Sequence, residues 1–564
     1  MQKETEFRSL AELCEKLEAT TKRNLKIDFT SEFLKGLNPE EVEPAVSMLM
    51  GMAFPGWDQR DLDVSWATLS RILNQLTKPD WKIFREAFSE TGDVGTAAKV
   101  LVERSRIKRQ TTLFGNATLT ILKARETLET MAETTGPGSR ERKERLLTTL
   151  LGDASPLEVK YIVKILIGDM RTGFNEGSME LTVSRAFGIP LRLVQNATML
   201  SGDVGEVAAL AKTLGEKGLE NVGFKLFKPV KPMLAQTAAE VREALGELGG
   251  EAAFEFKLDG ARIQIHKSGD TVRIFSRRLT EVTDSLPEIV EQVRNEVKPQ
   301  EAILEGEVIA IGADGSPMLF QHLMRRFRRV HEIAEMTKEV PVKLFLFDVL
   351  YVDRESLISM PYVERRKKLA ESAPRIPLTE QIVTKNPEVA ESFLKDAMSK
   401  GHEGLVAKKL DSPYTPGVRG KRWFKVKPVL EPLDLVIVAA EYGYGRRHDW
   451  LSDYYLAARD TETGQFFPVG KTFKGLTDAE IKETTRRLKE IVISEEHGRV
   501  TVMPKIVVEV AYNEIQKSPK YERGMALRFA RITRVRDDKT PEEADTLQRM
   551  QKIYEKQFEN KADY

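Results

Sequence analysis

The chain has 564 residues, of which 41% are hydrophobic and 31% charged; this predicts three or four domains and excludes disorder, collagen and a fibrous coil. Its 87 basic residues balance 86 acidic ones, so any affinity for nucleic acid must come from local patches. The single cysteine, Cys14, excludes an intramolecular disulfide framework and a cysteine-clustered zinc site. No apolar run approaches the roughly 18 residues that span a bilayer, and we expect a cytoplasmic protein that does not engage a membrane.

Helical periodicity dominates residues 1–222. Apolar residues recur at steps of three and four, as at Leu69, Ile72 and Leu73, and breakers such as Pro55-Gly56 separate the helices. The region shows no fixed-period repeat of the kind that indicates a solenoid. We predict an all-α domain here.

Short β-rich segments, separated by helical patterns, occupy residues 223–428. They follow a linker with two prolines, Phe227 to Pro232, and include a hairpin signal at Ser268-Gly269-Asp270. The predicted strands cover 253–257, 262–267, 271–276, 302–311, 342–352, 404–410 and 423–426. We predict an α+β domain built on antiparallel sheets.

A second boundary falls near Pro428 and Pro432, and residues 429–564 carry further strand patterns. The predicted strands cover 433–440, 454–459, 466–469 and 506–512, with a helix near 478–493. A five-stranded oligonucleotide-binding barrel (OB fold) fits this length. We therefore predict an OB-fold β-barrel domain that also carries a basic segment, residues 528–539, and a C-terminal helix.

The strongest signal for chemistry is the segment Glu255-Phe-Lys-Leu-Asp-Gly-Ala-Arg262. A strand delivers Lys257 to its end, Gly260 permits a tight turn, and Arg262 follows on the next strand. A free lysine, with a pKa of about 10.4, is protonated and a poor nucleophile, but neighbouring cations or desolvation lower that pKa. We expect Arg262 and Arg277 to do so in a shared pocket. The alternative is a lysine on a surface hairpin.

Five further segments supply groups that suit a nucleotide, namely Phe275–Arg278, Leu304–Val308, Phe345–Tyr351, Glu403–Lys408 and Trp423–Lys427. The guanidiniums of Arg277 and Arg278, in the first of these segments, suit bidentate phosphate contacts. Glu305 and Glu307 share one strand face of the second, where two carboxylates need a metal, a hydroxyl or a cation. Lys425 and Lys427 share one face of the last. Each segment alone is more often ordinary strand patterning, but chance does not readily produce all of them in this order.

In this order the motifs KLDGAR, SRR, EGE, FDVLY, EGLVAK and WFKVK resemble those of the covalent nucleotidyltransferases, which are polynucleotide ligases and capping guanylyltransferases. The segment Arg528–Lys539 is similar to the basic closing motif of their barrel domain, with Ala530 where the family often has proline. The helical first third, Lys231–Ala235 and Gly168–Gly173 resemble the ATP-dependent DNA ligases of the archaeal and eukaryotic replicative type. The resemblance spans nearly the whole chain. It implies sealing of DNA nicks in replication, recombination and repair through a lysyl-AMP intermediate.

The resemblance also implies a role for each motif residue, with Lys257 as the adenylylated nucleophile. Glu255 would read the adenine and Phe347 would stack on it. Glu307 would contact the ribose or the Mg²⁺ ion, Glu403 would contact that ion, and Lys427 would be a further phosphate contact. The implied contacts with ATP, from base to triphosphate, are Glu255, Phe347, Arg262, Arg277, Glu307, Arg419 and Lys425.

Three other functions compete with DNA ligation. A capping guanylyltransferase or RNA ligase shares the lysine motif, but the long helical region and the Arg-Asp-Asp-Lys end argue against it. An NAD-dependent ligase usually carries a four-cysteine zinc module, which one cysteine cannot form. A non-enzymatic scaffold that binds nucleic acid would leave Lys257 and the carboxylate segments without a purpose.

The expected partners are nicked duplex DNA and, through one short segment, a sliding clamp. Gln110–Phe114 resembles the clamp-binding boxes of archaeal-type ligases, in which a glutamine and a terminal aromatic fill a pocket of the partner. The alternative is that Leu113 and Phe114 pack into their own domain. We expect the chain to be a monomer.

Overall fold

The N-terminal region is entirely helical in the computed structural model, which describes residues 3–77, 81–104, 118–318, 320–327, 333–427, 430–496 and 498–558. Its helices are α1 (Phe7–Glu18), α2 (Arg23–Gly36), α3 (Pro39–Leu49), α4 (Trp66–Thr77), α5 (Trp81–Thr91), α6 (Val94–Arg104), α7 (Ile121–Glu133), α8 (Ser139–Asp153), α9 (Pro156–Ile167), α10 (Glu176–Phe187), α11 (Leu191–Ser201) and α12 (Val204–Glu220). Their apolar stripes meet in one core, in which Phe7, Leu10 and Val163 are fully buried. The predicted all-α region is confirmed.

Helix α9 shows how local sequence sets these boundaries. The Ser155 side chain accepts a hydrogen bond from the backbone N–H of Glu158, whose carboxylate accepts one from the N–H of Ser155 at 2.7 Å. This capping box, with Pro156 at the first helical position, satisfies the free donors of the first turn. The helix ends at Gly168, whose φ of +69° is a left-handed conformation that glycine adopts without strain. The first residue of the Gly168–Gly173 motif is therefore a helix cap.

The central region contains ten strands in its described part, with six helices between them. The strands are β1 (Gln236–Ala238), β2 (Ala252–Lys257), β3 (Ala261–Ser268), β4 (Thr271–Ser276), β5 (Glu301–Ala310), β6 (Val342–Val352), β7 (Glu355–Ser356), β8 (Gln381–Thr384), β9 (Gly404–Lys408) and β10 (Trp423–Val426). The helices are α13 (Val241–Glu247), α14 (Pro287–Glu296), α15 (Phe320–Phe327), α16 (Ile333–Glu339), α17 (Tyr362–Ser372) and α18 (Pro387–Ser399). The predicted α+β composition is confirmed.

These strands form two five-stranded sheets. The first sheet has the order β1-β10-β9-β2-β8 and the second has the order β4-β3-β5-β6-β7. Neighbours are antiparallel except β1 and β10, which are parallel. Helices α13 and α18 cover one face of the first sheet, over Phe254 and Phe256. Helices α14, α15 and α17 pack on the second sheet, whose own core includes Ile263 and Leu304.

The C-terminal region is rich in strands: β11 (Leu433–Tyr442), β12 (Leu451–Arg459), β13 (Phe466–Thr472), β14 (Val492–Glu496), β15 (Arg499–Val502), β16 (Val507–Ala511), β17 (Glu514–Lys517), β18 (Met525–Arg528) and β19 (Arg531–Val535). Two helices accompany them, α19 (Asp478–Lys489) and α20 (Leu547–Phe558). The β-rich domain is confirmed. In its described residues, however, the strand pairing forms a seven-stranded sheet and a separate β17-β18 hairpin, and does not close into a barrel.

The branching of the C-terminal sheet originates in β11. This ten-residue strand pairs with β12 on one edge and with two strands on the other, β16 along residues 433–436 and β15 along residues 439–441. Because β11 has two partners along one edge, the sheet divides there. The number of strands predicted from the sequence does not reveal this branching.

Each region contacts the other two through a few side chains. Gln59 of the helical region donates to the carbonyl of Leu279 at 2.8 Å, and the rings of Phe88 and Tyr444 lie 5.3 Å apart. Gln321 of the central region contacts Gln516 of the C-terminal region at 3.2 Å. Among the residues that the structure describes, no helix has the length and apolar character needed to cross a membrane.

Candidate active site

Lys257 is the last residue of β2 and lies where the first sheet approaches the second. Gly404 of β9 pairs with it, and the backbone N–H of Glu403 donates to the Lys257 carbonyl at 2.9 Å. This pairing brings the side chains together: Lys257 Nζ is 2.5 Å from the Glu403 carboxylate, and Lys427 contacts the same carboxylate. Since 25% of the Lys257 side chain is exposed, a ligand can reach it.

Two glycines are required for this geometry by close backbone approach. A Cβ on Gly260 would lie 2.4 Å from the carbonyl oxygen of Val308, and one on Gly404 would lie 2.2 Å from that of Val426. Gly404 also has a φ of +142°. Gly260 is not among the residues of positive φ, so the close approach of β5, rather than the backbone conformation, requires a glycine there. It lets the segment after Lys257 pass directly against β5.

The charge environment of Lys257 differs from the sequence-based expectation. Burial opposes the ammonium form, but the carboxylates of Glu403 and Glu307 outweigh it and raise the pKa of Lys257 above its ordinary value. The expected lowering by Arg262 and Arg277 is therefore wrong. The reason is that Glu307 on β5 and Glu403, which directly precedes β9, dominate the charge around the amine.

Glu307 and Glu403 respond in opposite ways to this shared neighbourhood. Burial raises the pKa of Glu307 to about 7, against the pull of Lys257 and Arg262. Burial acts in the same sense at Glu403, but Lys257 and Lys427 outweigh it and lower the pKa of that carboxyl. At neutral pH, Glu403 is a carboxylate and Glu307 is poised to gain or lose a proton.

Arg262 lies opposite Glu307 in the ladder between β3 and β5. Its guanidinium contacts Glu305 at 2.7 Å, donates to the carbonyl of Met233 at 2.8 Å and donates to the hydroxyl of Tyr414 at 3.1 Å. Its Nε is buried and has no hydrogen-bond partner in the described part of the chain. Arg262 is thus held rigidly, and its unpartnered Nε–H is a candidate contact for a ligand.

A group of cations lies beside Lys257. Burial lowers the pKa of Lys425, and Lys427, Arg419, Lys257 and Arg277 lower it further, in that order. The structure therefore brings together the residues predicted to hold the phosphates, although they come from three separate segments. Such a concentration of positive charge suits a triphosphate.

Glu255 lies on the same face of β2 as Lys257, two residues earlier, and is almost fully buried. Its Oε2 contacts Lys408 at 2.6 Å. Its Oε1 accepts hydrogen bonds from Tyr362, from Arg366 at 3.2 Å and from Gln381 at 3.1 Å.

Sequence reasoning missed these four donors. Alternation along β9 could have placed Lys408 on this face, whereas Tyr362 and Arg366 on α17 and Gln381 on β8 carried no motif signal.

Aromatic rings enclose Lys408 and continue the wall of this pocket. Its Nζ lies 4.9 Å from the ring centre of Phe347, 4.8 Å from that of Tyr362 and 4.5 Å from that of Trp423. The Arg262 guanidinium lies 5.2 Å from the Phe347 ring on another side. Phe347 therefore adjoins both Arg262 and Lys408, the partner of Glu255, and its stacking on a base stays a prediction.

The basic segment 528–539 is engaged within its own domain. Arg536 and Lys539 contact Asp434 at 3.0 Å and 2.6 Å, and Arg534 contacts Glu509 at 2.9 Å. Arg528 lies 5.9 Å from the ring of Phe320 on α15.

The predicted clamp-binding segment, Gln110–Phe114, lies outside the described residues.

The carboxylates beside Lys257 also suit a magnesium ion. The described residues contain no group of three or more metal-binding side chains. Magnesium, however, is commonly bound by one or two carboxylates together with substrate phosphates and water. Glu307 and Glu403 offer two such carboxylates, and Lys427 and the other cations around Lys425 lie nearby. A partly exposed strand-end lysine, two carboxylates and a cation cluster between two mainly antiparallel sheets match what is expected of a covalent nucleotidyltransferase.

Comparison with known proteins identifies the family. Three family models match the chain: DNA ligase N terminus over residues 6–180, ATP dependent DNA ligase domain over 232–427 and ATP dependent DNA ligase C terminal region over 447–539. The DNA ligase of Thermococcus fumicolans is 47% identical over 551 residues, 97% of this chain and 98% of that protein. DNA ligase 1 of Korarchaeum cryptofilum (strain OPF8) is 47% identical over 554 residues, 98% and 99% of the two chains. The chain belongs to the ATP-dependent DNA ligase family.

The fold comparison agrees with this assignment. A solved structure named Pmar-Lig_Pre superposes with a TM-score of 0.59 at 18% identity, over 94% of this chain and 99% of the other. That likeness concerns the fold. The family and enzyme class predicted from the motifs, and the dependence on ATP, are confirmed by the family models and the relatives.

Proposed function

We propose that this ligase seals nicks in duplex DNA through an adenylate carried on Lys257. The observation that supports this most strongly is the placement of Lys257: it is exposed enough to react, it contacts Glu403, and it lies beside the cations around Lys425. A nucleotide with its base toward Glu255 and its triphosphate toward Lys425 would present its α-phosphate to Lys257.

In the first step the neutral amine of Lys257 attacks the α-phosphorus of ATP. A nitrogen–phosphorus bond forms, the bond from the α-phosphorus to the bridging oxygen breaks, and pyrophosphate leaves. The ammonium must first lose its proton to water, because only the neutral amine has a lone pair on Nζ with which to attack. Arg277, Arg419 and Lys425 stabilise the negative charge that develops on the phosphates.

The same lysine then releases AMP to DNA. An oxygen of the 5′-phosphate at the nick attacks the α-phosphorus, the nitrogen–phosphorus bond breaks, and a DNA adenylate forms. The 3′-hydroxyl next attacks the activated 5′-phosphate, forming the phosphodiester bond and expelling AMP. The helical and C-terminal regions would hold the duplex through its phosphates, because an enzyme that seals any nick cannot depend on base sequence.

The remaining site residues follow from position. Glu255 and Phe347 bind the adenine, and Arg262 contacts the ribose and phosphate side with its unpartnered Nε. Glu307 and Glu403 would hold Mg²⁺, which would supply positive charge to the phosphates of ATP. We also propose that the chain acts as a monomer, and that Gln110–Phe114 binds a sliding clamp; the support for the clamp is the resemblance of that segment.

Lys257→Arg tests the proposal, with Lys400→Arg as the matched control. Arginine keeps the positive charge but does not deprotonate at neutral pH, so the variant should keep its melting temperature and form no adenylate from α-labelled ATP. Lys400 is an exposed lysine paired with Glu380 at 2.9 Å, and its variant should label and seal normally. Covalent labelling or sealing by Lys257→Arg from free ATP would refute the assignment of the nucleophile.

A further inference from the structure

The hydrogen bonds on Glu255 are distributed unequally between its two oxygens. Tyr362, Arg366 and Gln381 all donate to Oε1, whereas Oε2 contacts Lys408. A carboxylate offers about four acceptor positions, two on each oxygen. Three donors therefore saturate Oε1. Among the described residues Lys408 is the partner of Oε2, which keeps one acceptor position.

This asymmetry bears on the choice of nucleobase. Adenine presents one exocyclic amino group, N6, which a single carboxylate oxygen can accept. Guanine presents an acceptor, O6, at the corresponding place, and its donors N1–H and N2–H₂ form a parallel pair that needs both oxygens of a carboxylate. A carboxylate with acceptor positions open on both oxygens could therefore bind either purine. A carboxylate whose Oε1 is already saturated can accept only the single N6 donor of adenine.

We infer that Tyr362, Arg366 and Gln381 make this site selective for ATP over GTP by occupying Oε1 of Glu255. The inference rests on the proposed placement of the adenine at Glu255. Tyr362 and Gln381 also contact one another at 2.5 Å, so the donors form a connected group rather than independent contacts. Burial and the Glu255 charge raise the pKa of Tyr362 well above its ordinary value, which keeps its hydroxyl a donor.

The test is a double variant, Tyr362→Phe with Gln381→Leu, which removes two donors from Oε1 and keeps Lys408 on Oε2. The control is Tyr351→Phe, which removes a hydroxyl that contacts Glu301 at 2.9 Å instead. Covalent labelling of the full-length protein is measured with α-labelled ATP, GTP and ITP, and kcat/KM is compared for each nucleotide. ITP presents N1–H but lacks the N2 amino group.

The double variant should lower the ratio of kcat/KM for ATP to that for GTP by about tenfold or more, the effect of one hydrogen bond to a charged group. The increase in kcat/KM should be larger for GTP than for ITP. The control variant Tyr351→Phe should keep the wild-type ratio of kcat/KM for ATP to that for GTP. An unchanged ratio in a variant that still labels with ATP would overturn the inference. If the double variant does not fold, Tyr362→Phe alone is judged by the same ratio. Absence of labelling in the wild type would instead contradict the proposed function.

Discussion

The carboxylate of the Phe345–Tyr351 motif, Asp348, has a structural role that a substitution can separate from catalysis. Asp348 and Arg365 of α17 are both completely buried. Two parallel hydrogen bonds join them, at 2.8 Å from Arg365 Nε and 3.0 Å from its Nη2. The Nη1 of Arg365 donates to the carbonyls of Met360, at 2.6 Å, and Ser412, at 2.9 Å. The pair therefore joins α17 to the second sheet and to the loop after β9.

Asp348→Ala would leave the Arg365 guanidinium buried without a counter-charge. Removing one member of a buried ion pair costs about 3–5 kcal/mol, because the surviving charge stays desolvated. At about 2–4 °C per kcal/mol for a domain of this size, the melting temperature of the central region should fall by roughly 6–20 °C. The double variant Asp348→Leu with Arg365→Met removes both charges, so its melting temperature should fall much less than that of the single variant.

Thermal unfolding followed by circular dichroism measures these shifts, and labelling by ATP at a temperature below both transitions checks the site. The single variant should still form the adenylate while folded, since Asp348 does not contact Lys257 in the described structure. A single variant that melts within about 2 °C of the wild type would refute the reasoning. If the melting temperature of the double variant falls as far as that of the single variant, then packing, rather than the unpaired charge, determines the loss of stability.

Three further outcomes are expected. Glu403→Gln removes the carboxylate that most raises the pKa of Lys257, so the rise of the adenylation rate with pH, which follows loss of the lysine proton, should move to lower pH; single-turnover labelling from about pH 6 to about pH 11 measures it, and a rise at the wild-type pH would contradict the assigned cause. Replacing Arg536 and Lys539 by alanine should reduce labelling more than sealing of a pre-adenylylated nick, because that segment is expected to close over ATP; equal losses would mean a structural or DNA-binding role. Phe114→Ala should keep the melting temperature and basal sealing but lose stimulation by a sliding clamp; a fall of several degrees would place Phe114 in a core instead.

Local sequence was sufficient for the strands that carry the chemistry and for the faces of their side chains. Successive side chains of a strand point to opposite faces, so Glu305 with Glu307 and Glu255 with Lys257 could be assigned to shared faces before any sheet was known. The bounds of β6 and β10 follow the predicted ones, and the predicted hairpin turn joins β3 to β4, where Gly269 has a φ of +55°. The family followed from the same motifs, because their order along the chain is specific.

Tertiary structure decided the properties that depend on pairing between distant segments. The pKa of Lys257 is raised because the pairing of β9 with β2 brings Glu403 against it. The hydrogen bonds that Oε1 of Glu255 accepts come from α17 and β8, whose sequences carry no motif. Gly260 is required by the passage of β5, and the C-terminal sheet branches because β11 has two partners on one edge. Alternation along one strand determines the face on which a side chain lies. The groups that meet it there are determined by which strands and helices become neighbours, and that depends on packing of the whole domain.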